Sequence, residues 1–91
     1  MVSKKVKVIN PSGLHLRPAG ILCNKAMNYK SSITFDYQDK TKTGTANAKS
    51  VLSVLGACVK TGDEIVIHCD GEDEEEVLKD LTEAIENGLG E

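Results

Sequence analysis

Residues 17–37 read RPAGILCNKAMNYKSSITFDY, and the apolar spacing changes partway along them. Ala19, Leu22, Cys23, Ala26 and Met27 recur at intervals of three and four, which is one face of an α-helix. Ile33 and Phe35, within SSITFDY (31–37), recur at two beside β-branched and aromatic neighbours, which is strand composition. A helix leading directly into a strand is the unit around which the other elements are ordered.

Upstream, KKVKVI (4–9) alternates loosely and predicts a first strand, and NPSG (10–13) predicts the turn out of it. Downstream, QDKTKTG (38–44) is polar and turn-like, and TANA (45–48) predicts a short strand or its end. SVLSVLGA (50–57) is short and apolar, with Ser50 placed to cap a helix. KTGDE (60–64) predicts a turn, and EIVIHC (64–69) is the strongest strand in the chain. DGEDEEE (70–76) opens a final helix whose apolar face is Val77, Leu78, Leu81, Ala84 and Ile85, with Asn87-Gly88 as its stop. The order is β-α-β-β-α-β-α. It fits an α+β fold, a four-stranded antiparallel sheet with three helices on one face. Residues 1–91 are read as a single domain.

Composition excludes several classes of function. The net charge of -3 argues against nucleic acid as the main partner. No apolar run approaches the length of a membrane span, and MVSKKVKVIN lacks the apolar centre of a secretory leader. The cytoplasm is the expected compartment. The three cysteines, 23, 58 and 69, form no metal-ligand spacing with either histidine, so no metal is expected; they are read as free thiols, Cys23 in the core and Cys58 and Cys69 either structural or exposed. The acidic run Glu72–Glu76 is read as a solvated helix start that complements the helix dipole. His68 is read as a partly exposed strand residue.

His15 is different. It stands between a glycine-bearing turn and the predicted helix, with Arg17 two residues on. A neutral imidazole carries a nucleophilic nitrogen near neutral pH. A helix start offers unpaired N–H groups to an anion. Pro18 fits a first turn because its missing N–H is no loss there. Arg17 adds a fork of donors matched to a phosphate. These features describe a ring nitrogen on which a phosphoryl group is held. The plainer alternative is a histidine that merely caps or flanks the helix.

GLHLRPAG (13–20) resembles the active-site signature of HPr, the histidine-containing phosphocarrier family of the phosphoenolpyruvate-dependent sugar phosphotransferase system. Leu16 stands where the family usually has alanine. ANAKSVLSVLG (46–56) resembles the region of the family's regulatory serine, and residues 61–91 resemble its last strand and helix. The resemblance implies the family's open-faced β-sandwich and a monomer. It implies that His15 accepts a phosphoryl group on Nδ1 from enzyme I and passes it to enzyme IIA domains, with Arg17 neutralising the phosphate. It implies a regulatory role for Ser50, through a serine kinase and a catabolite-control transcription regulator. Leu16, Lys49, Val51, Leu52 and Leu55 become the expected partner surface, with Val54 turned inward. The stretch 38–46 is longer than the family usually has, and the extra length is expected in the turn between strands two and three. A stand-alone enzyme is not expected, since neither an acid–base pair nor a nucleotide loop is visible. The alternatives are a regulatory module that mainly binds a kinase or transcription regulator, and a carrier in a non-sugar relay.

Overall fold

The structure is a computed structural model and describes residues 1–38 and 43–90. The elements are β1 (Val2–Lys7), α1 (Leu16–Met27), β2 (Ser32–Gln38), β3 (Thr43–Asn47), α2 (Val51–Gly56), β4 (Glu64–Asp70) and α3 (Glu74–Glu86). The strands form one antiparallel sheet in the order β1-β4-β2-β3. Helix α3 packs on β1 and β4, α2 packs on β3, and α1 lies against both helices. The expected order and antiparallel sheet are what the structure shows. The extra loop length expected between strands two and three falls largely on residues 39–42, outside the described residues.

β4 sits in the middle of the sheet because it alternates most strictly. Ile65, Ile67 and Cys69 are buried toward the helices, while Glu64, Val66 and His68 face the other side. Register aligns the inward rows: Phe35 pairs with both Ile67 and Ala46, Ile33 with Cys69, and Val6 with Ile65. Slipping one residue would turn this whole set into water. Each buried Ile or Phe contributes about 1.5–3 kcal/mol over its exposed state. Phe35, Ile33, Leu22, Val54, Leu81 and Ile85 form the centre of the core.

α1 buries Pro18, Ala19, Leu22, Cys23 and Ala26. Met27, expected on that face, is 64% exposed. At about 100° per residue, eight positions carry it roughly 80° beyond Ala19, past the edge of the buried stripe. In α2, Ser50 accepts the Ser53 N–H at 3.2 Å as the expected cap, and Val54 is fully buried. β1 starts two residues earlier than expected and ends before Val8. β3 extends back to Thr43.

The acidic run is more than a solvated helix start. Asp73, the N-cap of α3, accepts the backbone N–H groups of Lys30 and Ser31 at 2.9 and 3.0 Å, and also the Ser31 hydroxyl. It thereby ties the start of α3 to the entry of β2. The Ser31 hydroxyl, followed by the Lys30 N–H, holds this carboxyl below its ordinary value of 3.8. A carboxylate favoured in the folded state contributes stability above its unfolded pKa and loses it as pH falls through the folded value. The denaturation midpoint is therefore expected to fall on acidification below about pH 4. Asp73→Asn should flatten that dependence, as read by urea unfolding at several pH values. A slope unchanged by Asp73→Asn would show that other carboxylates carry it.

Candidate functional site

The chain reaches the site through a tight turn. The Gly13 N–H donates to the Asn10 carbonyl at 2.9 Å, and the Asn10 side-chain amide donates back to the Gly13 carbonyl. Asn10 is 1% exposed, and its Oδ1 has no partner among the described residues. Gly13 has φ +65°, a left-handed value that L side chains rarely adopt. A Cβ there would meet the Val59 carbonyl oxygen at 2.5 Å and the Lys60 Cα at 2.8 Å. The next residue, Leu14, is buried and donates its N–H to that same Val59 oxygen at 3.0 Å. The loop is thus pressed onto segment 59–60 immediately before the histidine.

His15 is the N-cap of α1, with extended backbone (φ -81°, ψ -172°). Its carbonyl accepts the Ala19 N–H at 2.8 Å, the first turn of the helix. Its ring is exposed and makes no capping hydrogen bond. The N–H groups of Leu16 and Arg17 precede the first intrahelical bond, and Pro18 has none to offer. The helix start therefore presents two backbone donors beside an unengaged ring and an exposed guanidinium. No acidic side chain occupies that first turn.

A depression of about 580 Å³ opens next to the ring, lined among others by Ser12, His15, Leu16, Leu55, Cys58 and Lys60. The structure thus brings Leu16 and Leu55 of the expected patch to the histidine. Leu16 and Leu52 are exposed at 63% and 83%, while Val51 and Leu55 are half-buried and packed on the core. Lys49 is half-buried, and its ammonium donates to the Tyr29 carbonyl at 2.8 Å. Arg17 and Ser50 do not form part of the depression's wall.

Three features escaped the sequence reading. Cys58, for which the sequence left a structural and an exposed thiol open, is exposed at φ +54°, and it lies in the wall beside His15. Lys60 reaches the same wall from a distant part of the chain. On the uncovered face of the sheet, His68 is not an isolated strand residue. Its Nε2 is hydrogen-bonded to the Asp36 carboxylate at 2.8 Å, its Nδ1 is hydrogen-bonded to the Ser3 hydroxyl at 2.6 Å, and Thr45 donates to Asp36 at 2.7 Å. The Thr45 hydroxyl and then His68 hold the Asp36 carboxyl below its ordinary value. The alternation in EIVIHC places His68 on this face, but its cross-strand partners depend on register. Among the described residues, no cluster of three or more His, Cys, Asp or Glu could hold a metal ion, and no described helix is long and apolar enough to cross a membrane.

The profile of the family described as "PTS-HPr: PTS HPr component phosphorylation site" matches residues 2–87. The chain belongs to the HPr family. The phosphocarrier protein HPr of Lysinibacillus sphaericus is 35% identical over the full length of both chains. The HPr-like protein Crh of Bacillus subtilis is 35% identical over 89% of this chain and 91% of that one. The crystal structure of HPr-C-His from Thermoanaerobacter tengcongensis matches with a TM-score of 0.86 at 32% identity, covering 100% of this chain and 98% of that one. The four-stranded open sheet with three helices is thus the HPr fold. HPr-family proteins are phosphocarriers rather than catalysts in the usual sense, and the chain belongs with the phosphotransferase system at that level.

Proposed function

We propose that this protein carries a phosphoryl group on His15, taking it from enzyme I and delivering it to sugar-specific enzyme IIA domains. The observation that supports this best is the exposed, unengaged ring at the α1 N-cap, beside unpaired N–H donors and Arg17. In loading, the Nδ1 lone pair forms a bond to phosphorus as the donor's bond to phosphorus breaks. In delivery the same exchange runs onto the acceptor. The N–H groups of Leu16 and Arg17 and the Arg17 guanidinium steady the phosphoryl oxygens. Most of the transition-state stabilisation comes from the enzymes on either side, because the site itself is open to water.

Leu16 and Leu52, both exposed, form the apolar contact for those partners, extended by the accessible parts of Val51 and Leu55. The protein acts as a cytoplasmic monomer of one domain, without nucleic acid. Lys49 contributes through position rather than a free charge, since its ammonium is engaged with Tyr29.

Intact-protein mass spectrometry after incubation with phosphoenolpyruvate and a cognate enzyme I tests the carrier reading. One acid-labile phosphoryl group is expected. None, with that enzyme I shown to be active, would sink it.

A second reading is supported by the similarity to Crh. Phosphorylation of Ser50 by a serine kinase would add about -1.5 to -2 charge at the α2 N-cap, beside exposed Leu52, and alter binding to a catabolite-control regulator. Ser50→Asp should then change affinity for such a regulator, while His15→Ala has little effect on it. Ser50→Ala should cost about 1 kcal/mol through loss of the cap, yet still accept phosphate at His15. A Ser50→Ala protein that no longer accepts it would show that Ser50 serves the transfer itself.

A further inference from the structure

We infer that Lys60 is a second cation of the phosphoryl site, placed to neutralise the group carried on His15. The inference rests on the carrier reading of His15. Three observations support it. Lys60 lines the same depression as the His15 ring. Its backbone is fixed against the histidine loop: a Cβ on Gly13 would lie 2.8 Å from the Lys60 Cα, and Leu14 is hydrogen-bonded to the neighbouring Val59 carbonyl. Its own N–H donates to the Asp63 carboxylate at 2.9 Å, which pins the start of the side chain. The Lys60 ammonium makes no ion pair or hydrogen bond among the described residues.

Reach allows the contact. Successive Cα atoms are about 3.8 Å apart, so His15 lies within roughly 8 Å of Gly13, which Lys60 touches. A flexible four-carbon stem carries a strongly hydrated point charge across such a gap. Unlike Arg17, which belongs to α1, Lys60 lines the depression beside the ring from the segment before β4. The two cations would flank the group instead of crowding one set of oxygens. Asp63 is the acidic group beside Lys60, and its Oδ2 accepts the Lys60 backbone N–H.

A small phosphoryl donor separates this role from partner docking. Phosphoramidate gives its phosphoryl group to imidazole and releases ammonia: one nitrogen–phosphorus bond forms as the other breaks. We expect the phospho-His15 form of wild type, followed by phosphorus NMR against pH, to ionise at lower pH than that of Lys60→Met. The difference should be about half a unit for an exposed charge pair. Lys60→Arg should restore the wild-type value. Equal titrations in wild type and Lys60→Met, both folded by circular dichroism, would overturn the inference while leaving the carrier reading intact. So would a Lys60→Met defect confined to the KM for enzyme I. Failure of wild type to take phosphate at all from either donor would bring down both.

Discussion

His15→Ala is expected to accept no phosphoryl group, a loss of about a thousandfold or more in transfer rate, with the fold unchanged. The ring makes no capping hydrogen bond and is exposed, so removing it takes away little packing. What it removes is the only atom on the helix start able to form the bond to phosphorus. The other groups there are the Leu16 and Arg17 N–H donors and the guanidinium, none of which offers a lone pair. Arg17→Met should retain a slow reaction, because it leaves the nucleophile and weakens only charge neutralisation. Intact-mass kinetics of the two variants with the same enzyme I would distinguish them. Substantial loading of His15→Ala at an acid-labile site would place the acceptor elsewhere in the molecule.

Gly13→Ala should be the most damaging single-methyl change near the site, at about 3 kcal/mol. The left-handed backbone costs an L residue roughly 1–2 kcal/mol, and overpacking adds about 1–3 kcal/mol. The clash cannot be relieved by a side chain swinging away, because both opposing atoms, the Val59 oxygen and Lys60 Cα, belong to the backbone. Moving them would break the Leu14–Val59 hydrogen bond. The change should also slow phosphoryl acceptance, since His15 follows two residues later and its aim depends on this turn. Urea unfolding and transfer kinetics on one preparation would test both expectations. A Gly13→Ala protein as stable as wild type would mean that segment 59–60 yields easily.

What was legible in the chain follows from how local each feature is. α1, α3 and β4 announce themselves because their burial repeats in sequence. β3 is harder: in TGTAN only Ala46 is buried, so one inward residue must stand for a whole strand. Met27 lies outside the buried stripe, and the exposed turn that puts Cys58 beside His15 is not marked in the sequence, because apolar character alone does not say where a helix leaves the core or a turn tightens. The candidate site was legible where it is contiguous, from Gly13 to Pro18. Lys60 was not, because it comes to His15 only when the chain just after β1 and the loop before β4 are hydrogen-bonded together, Val8 with Gly62 and Asp63. The role of Asp73 was hidden for the same reason, since its partners lie at the entry to β2.

The sheet order leaves β1 and β3 as its two edges, and the edges are guarded differently. β1 carries Lys4, Lys5 and Lys7, all exposed, and two of them are only loosely engaged, at 3.6 and 3.9 Å, by Glu86 and Glu64. Two copies meeting along this strand would bring like charges into register before a single backbone bond formed. β3 has no charged residue and relies on its length, five residues, too short to template a partner well. Aggregation through strand pairing is therefore opposed by salt-sensitive repulsion at β1 and by brevity at β3. Of the two barriers, only the first weakens as ionic strength rises.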